Sequence, residues 1–192
     1  MKNTYKLPFY VSFLILWMGF TQVHGQIAGT LQGAWKSATG NEHEILLFQD
    51  GYFTHTIHDP VDKKFLMSRG GPYTTTGNKM SVMYEFHSSR PEETGTDSNY
   101  VYSLKNNMLV LNLNGKDQNW TRVDPSSAPL AGVWKVSERM ENGELVRIHQ
   151  QGTRKTLKIL TGTRFQWFAI DPATKLFAGT GGGTYSFADG KY

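Results

Sequence analysis

Cysteine is missing from all 192 residues of the chain. This absence excludes disulfide bonds, thiolate metal sites and a lipid anchored on cysteine, so any stability must come from core packing. The net charge is also small, because 20 Lys and Arg against 16 Asp and Glu leave a formal charge of only +4. So small an excess does not make the basic stripe of a nucleic-acid-binding protein, and we expect no nucleic-acid partner.

Long hydrophobic runs are confined to the N terminus. Lys2 and Lys6 precede the apolar residues 7–20, and Val23 and Gly25 then occupy the −3 and −1 positions before Gln26. This layout is typical of a secretory signal peptide. The competing interpretation is a membrane-spanning helix, but the run is shorter than the roughly 20 residues that such a helix needs. We therefore predict that residues 1–25 are removed. The mature chain would be secreted or periplasmic, without a transmembrane segment.

Helical periodicity is lacking as well, and short alternating runs take its place. Runs such as "EILLFQ", "YFTHTIH" and "MLVLNLN" are strand-length, and turn pairs such as "DG" and "GN" separate them. Consecutive hairpins predict an antiparallel up-and-down meander. The expected strands number eight, or nine if 64–76 is broken at its glycines, and lie at about 32–38, 44–49, 52–58, 64–69, 73–76, 79–87, 99–104, 108–113 and 118–123.

The chain repeats itself after a proline-containing stretch. "LQGAWK" at 31–36 returns as "LAGVWK" at 130–135, an offset of 99, and from Phe53 and Phe165 onward the matches continue at an offset of 112. The difference, 112 − 99 = 13 residues, predicts one insertion in the second copy, with a hairpin tip at 141–143. We predict a first domain at 26–124, a linker at 125–129 and a second domain at 130–192.

The second copy stops early, because Tyr192 aligns with Met80 of the first copy. We therefore expect that the second copy lacks closing strands and that the natural product is longer by roughly 45 residues. An uncovered strand edge recruits other chains. We expect self-association through the C-terminal half.

The residues Gly33 and Trp35 form a G-x-W motif on the first predicted strand, and Gly132 and Trp134 repeat it. With this motif the chain resembles the lipocalin-like (calycin) β-barrel domains of secreted bacterial proteins. The resemblance implies an all-β fold of tandem antiparallel up-and-down barrels, the second incomplete. It also implies that the Trp closes one barrel end and that Arg122, from the last strand, packs across the ring of Trp35, a favourable cation–π arrangement.

A barrel of about eight strands leaves room for one small ligand inside. We predict a non-enzymatic binding protein for a small apolar or amphipathic molecule, with no cofactor. Aromatic and polar side chains of the inward faces would contact it, and the candidates are Phe53, His55, Phe65, Tyr84 and Tyr102.

Two other functions stay open. An envelope protein-interaction module would have filled barrels instead of a cavity. A calycin-type enzyme would need two titratable groups converging inside one barrel, and the sequence shows no such pair. His55 and His58 lie three apart on a strand and point to opposite faces, so we expect no metal site, and we assign no catalytic residue.

Overall fold

The computed structural model of the protein describes residues 30–113, 115–148 and 151–192, and these residues form strands almost throughout. The predicted signal peptide, residues 1–25, lies outside the described residues. Within them, the one helix is the 3₁₀ turn Pro91–Glu93. None of the helical structure in that part of the chain is long and apolar enough to span a bilayer.

In the described ranges, fifteen strands make up three sheets. They are β1 Gly33–Thr39, β2 Glu42–Gln49, β3 Tyr52–Asp59, β4 Lys64–Thr76, β5 Lys79–Met83, β6 Phe86–His87, β7 Asp97–Lys105, β8 Met108–Asn112, β9 Asp117–Asp124, β10 Gly132–Lys135, β11 Glu138–Glu141, β12 Glu144–Arg147, β13 Lys155–Leu160, β14 Arg164–Asp171 and β15 Leu176–Thr184.

The first sheet closes on itself. Each of β1 to β4 pairs antiparallel with its successor, β5 pairs with β7, β7 to β9 continue the meander, and β9 returns to β1. The result is an eight-stranded antiparallel barrel, with the short β6 added beside β4. The all-β barrel fold predicted from the hairpin pattern is thus confirmed.

Residues 64–76 form one continuous strand, which is the unbroken alternative of the prediction. The strand boundaries differ from expectation after it, where the expected strand 79–87 is split into β5 and β6. A Cβ on Gly71 would lie 1.9 Å from the carbonyl oxygen of Met83, so the end of β5 passes directly over β4. The chain after β5 stays close to β4, because the Glu85 amide donates to the Gly70 carbonyl at 2.9 Å, and it continues into β6, which pairs with β4.

Side chains fill the barrel, and one end is closed by the segment before β1. The Trp35 Nε1–H donates to the Leu31 carbonyl at 2.8 Å, and the Arg122 guanidinium lies 4.0 Å from the Trp35 ring centroid. Arg122 also donates to the carbonyls of Gln32 and Thr30, at 2.6 and 2.8 Å. The fully buried interior residues include Trp35, Leu46, Phe48, Phe53, Met80, Val82, Leu109, Leu111 and Trp120.

The second sheet is open and has the order β10-β13-β14-β15. Its pairing repeats that of the barrel at an offset of 112: Phe53 pairs with Gly71, and Phe165 pairs with Gly183. The β-bulge after Ile57 recurs 112 residues later, after Ala169. The expected insertion forms the separate hairpin β11–β12, with its turn at 142–143.

This second sheet packs against the outside of the barrel. Phe168 stacks between Tyr52 and Phe86, at centroid distances of 5.6 and 4.7 Å. The Asp124 carboxylate, at the end of β9, accepts hydrogen bonds from the Gly162 and Thr163 amides at 2.8 and 2.9 Å. A shared apolar core and a buried carboxylate therefore join the two sheets.

Candidate functional site

The five predicted ligand contacts do not form one site. Phe53, His55 and Tyr84 lie in the packed barrel interior, and Tyr102 is half-buried at the barrel wall, where its hydroxyl donates to the Gly77 carbonyl at 3.1 Å. Phe65 does not join them. Its side chain is 46% exposed on the outside of the barrel and stacks on Phe177 at 6.2 Å.

His55 belongs to a buried polar network that the sequence analysis missed. The Arg69 Nε–H donates to His55 Nδ1 at 3.3 Å, so the other ring nitrogen carries the proton and donates to Glu44 Oε2 at 2.7 Å. Gln118 donates to the second Glu44 oxygen at 2.6 Å. Two titratable groups therefore do converge inside the barrel, against expectation, because Glu44 shares the inward face of β2 with Leu46.

The surroundings of His55 and Glu44 determine the protonation state of each group. Burial lowers the pKa of His55, and the charge of Arg69 adds to that, although Glu44 opposes both. Burial also acts to raise the pKa of Glu44, but hydrogen bonds from His55 and Gln118 outweigh it, so this pKa lies below its ordinary value. The chain thus buries a carboxylate beside a neutral imidazole, with the Arg69 cation close by.

This acid–base pair has no room for a substrate. A general base must come within hydrogen-bond reach of the proton that it removes. His55 is completely buried, its ring meets Trp120 edge-on at 5.7 Å, and Glu44 is nearly as well covered. The network therefore satisfies the buried polar atoms of Glu44 and His55, whereas the neighbouring Trp120 Nε1–H has no hydrogen-bond partner among the described residues.

The accessible site is a cleft outside the barrel. It has a volume of about 950 Å³ and lies between the outer face of β9, β1, β2 and β3 and the facing parts of β14 and β15. This volume falls within the range of small-molecule sites, which is about 300–1,000 Å³. Ile45 and Leu47 form an apolar floor, and Phe65 and Phe165 stand at the sides.

The wall of the cleft on the second sheet is built from a glycine run. Gly181, Gly182 and Gly183 line it with backbone, and the side chain of Gln166 is held away by hydrogen bonds to Ser68 and Thr180, at 2.9 and 3.0 Å. Glycine has no Cβ, so a ligand can approach the backbone of β15 closely. The sequence analysis named none of these glycines as site residues, because a glycine contributes no side chain that would signal a ligand contact.

The charges around the cleft are unbalanced. Asp59 is the single carboxylate in its lining, and that carboxylate accepts hydrogen bonds from the amides of Val61 and Asp62, at 2.8 and 3.1 Å. His43 and His58 face each other across β2 and β3, with ring centroids 5.8 Å apart. Burial lowers the pKa of His58, and the neighbouring His43 and Arg164 add to that. The cations of the lining are Lys36, Lys63, Lys64 and Arg164.

In the ranges that the structure describes, no group of three or more His, Cys, Asp or Glu side chains is arranged to hold a metal ion.

Comparisons with protein-family models, with curated proteins and with solved structures gave no match to the chain. The resemblance to lipocalin-like domains therefore rests on the closed barrel and on the Trp35–Arg122 corner. The function has to be argued from the geometry of the cleft.

Proposed function

We propose that the protein is a secreted or periplasmic, non-enzymatic binding protein for a small amphipathic molecule, and that the ligand binds in the external cleft. The single observation that carries this proposal is a cleft of about 950 Å³ with an apolar floor and polar rims. The export of the protein is supported by the N-terminal sequence pattern.

The barrel interior is a poor alternative location for the ligand. Its largest side chains, among them Trp35, Trp120 and Tyr84, are completely or almost completely buried and pack against one another. Interiors packed in this way have few voids larger than a water molecule. A ligand would have to displace this core, whereas the cleft is already open.

A fluorescent probe tests the location. N-phenyl-1-naphthylamine is uncharged and gains fluorescence in apolar surroundings. Ala38 is exposed in the cleft lining, so Ala38→Phe should fill part of the cleft and weaken probe binding about tenfold or more. The matched control is Val101→Phe, because Val101 is also on the barrel exterior, 55% exposed and away from the cleft. Unchanged affinity in Ala38→Phe, or no binding at all, would refute the proposal.

A protein-interaction module is the second candidate, and the exposed face of the second sheet favours it. Trp134 and Trp167 lie on that face, 53% and 39% exposed, beside Tyr192 at 60%. Strands β10 and β15 are the outer strands of their sheet, so their free edges can pair with another chain. We propose a second copy of this chain as the partner.

Light scattering decides this second candidate. The 192-residue chain should dimerise, and Trp167→Lys should shift the population toward the monomer, whereas Val101→Lys should have no effect. A monomer at all concentrations would refute self-association and leave the cleft proposal standing.

We also propose that the second sheet arose as a copy of part of the barrel unit. The recurrence of the pairing register and of the β-bulge at one constant offset supports this origin. A Trp side chain also repeats its contact: Trp134 Nε1–H donates to the Leu130 carbonyl, as Trp35 donates to Leu31.

A further inference from the structure

Arg164 is the basis of a narrower inference about the cleft. It is the first residue of β14, and its side chain lines the cleft on the side of the second sheet. Its Nε is buried and has no hydrogen-bond partner, and no ion pair of Arg164 occurs within the described ranges. A buried guanidinium donor without an acceptor is unfavourable, because it has lost its hydrogen bonds to water without gaining others.

The surroundings of Arg164 do not supply the missing acceptor. The one carboxylate of the lining, Asp59, already accepts two backbone amides of its own turn. Burial disfavours the charged form of His58, and His43 and Arg164 lower its pKa further, against a smaller opposing effect of the Asp59 charge. The imidazole is therefore neutral at pH 7, and it leaves the charge of Arg164 uncompensated.

The remaining charges of the cleft have the same sign. Lys36, Lys63 and Lys64 are exposed at its rim, and with Arg164 they give four cations against the one carboxylate of Asp59. Removal of residues 1–25 with Lys2 and Lys6 would lower the formal charge of the chain from +4 to +2, so the net +3 of the cleft lining accounts for all of the excess positive charge. Such a field favours anions at a site whose floor is apolar.

We propose that the ligand carries an oxyanion head group, a carboxylate, sulfate or sulfonate, that binds the Arg164 guanidinium while its apolar part lies on Ile45 and Leu47. The planar guanidinium matches such head groups, because it can donate two parallel hydrogen bonds. This inference rests on the proposed function of the cleft. It adds the class of ligand and the residue that selects it.

Two probes of nearly the same shape test the head group. 1-Anilinonaphthalene-8-sulfonate is N-phenyl-1-naphthylamine with one added sulfonate. The unaltered protein should bind the sulfonate at least tenfold more tightly than the uncharged probe, since a charge-assisted hydrogen bond is worth about 1.5–3 kcal/mol. In Arg164→Gln this preference should disappear, while the affinity for the uncharged probe should change less than twofold.

Two further variants separate the site from the overall charge. Arg139→Gln removes the same charge from the exposed β11–β12 hairpin and should leave both affinities unchanged. Arg164→Lys keeps the charge without the planar donor pair and should restore only part of the preference. Equal losses in Arg139→Gln and Arg164→Gln would overturn the inference, because they would show a general effect of net charge.

Competition identifies the sign and type of the head group. Decanoate and decyl sulfate should displace the anionic probe, and decyltrimethylammonium should not. Equal displacement by the cation, or equal affinity for the two naphthylamine probes, would overturn the oxyanion and leave the proposed function intact. Failure of both probes to bind would instead refute the proposed function itself.

Discussion

The two copies of the G-x-W tryptophan allow one substitution to be tested in two environments. Trp35 is completely buried, donates a hydrogen bond to Leu31 and lies under the Arg122 guanidinium at 4.0 Å. Trp134 makes the equivalent hydrogen bond, to Leu130, but is 53% exposed. Among the described residues no cation stacks on its ring.

Trp35→Ala should lower the free energy of unfolding by about 3–5 kcal/mol, the usual range for truncating a buried Trp to Ala. The substitution leaves a cavity at the closed end of the barrel and removes the surface on which Arg122 rests. Trp134→Ala should lower the free energy by only about 0.5–1.5 kcal/mol, because half of the side chain stays in water and no closed cavity forms.

The measurement is equilibrium unfolding in urea followed by far-ultraviolet circular dichroism, since removing one of five Trp residues alters the fluorescence. If the two sheets unfold together, both variants shift a single transition. Equal losses in the two variants would refute the reasoning, because they would mean that closure by Arg122 and burial contribute nothing.

Other expectations follow from buried charges and from the N terminus. Asp124→Asn should lower the free energy of unfolding by about 2–4 kcal/mol and expose the β13–β15 amides to hydrogen exchange, because the Asp124 carboxylate accepts hydrogen bonds from amides of the β13–β14 turn. The control is Asp117→Asn at an exposed position, and unchanged protection from exchange in Asp124→Asn would contradict the role of Asp124. The protein should lose stability as the pH falls from about 6.5 to 4, because burial lowers the pKa of His87 to about 4 and the unfolded chain takes up a proton that the folded chain excludes. A urea midpoint of unfolding that stays constant over this pH interval would contradict this prediction. Below pH 4 the loss should continue, because the pKa of Asp124 is lowered: burial raises it, and the amides of Gly162 and Ser126 and the hydroxyls of Thr163 and Thr161 more than offset that. N-terminal sequencing of exported protein should find Gln26 first, whereas an intact Met1 in the membrane fraction would refute the signal peptide.

The barrel could be predicted from the sequence because the patterns that specify it lie within single strands and the turns that join them. Alternating apolar residues and two-residue turns specify antiparallel neighbours, and a long enough meander closes. The position of Arg122 over Trp35 followed from the family resemblance. The break between β5 and β6 could not be predicted, because it depends on Gly71, a residue of another strand that allows the Met83 carbonyl to approach.

The candidate site was largely beyond prediction, for a similar reason. Inward and outward faces follow from alternation, so the burial of Phe53 and His55 was accessible from sequence. The cleft, however, exists only where a second sheet leans on the outside of the barrel, and the contact of Phe168 with Tyr52 and Phe86 joins residues far apart in the chain. No periodicity within one strand indicates which outward face will be covered.

The differences between the two copies are more informative about function than their matches. At the constant offset of 112, Leu47 corresponds to Ile159, and both are buried where the sheets meet. On the outer face of the neighbouring strand β3, Thr56 and His58 correspond to Phe168 and Ile170 at the same offset. The second copy is apolar there, because Phe168 and Ile170 enter the shared core, while Thr56 and His58 line the cleft. Outer-face positions that are polar in one copy and apolar in the other therefore mark where packing between the sheets stops and the site for a ligand begins.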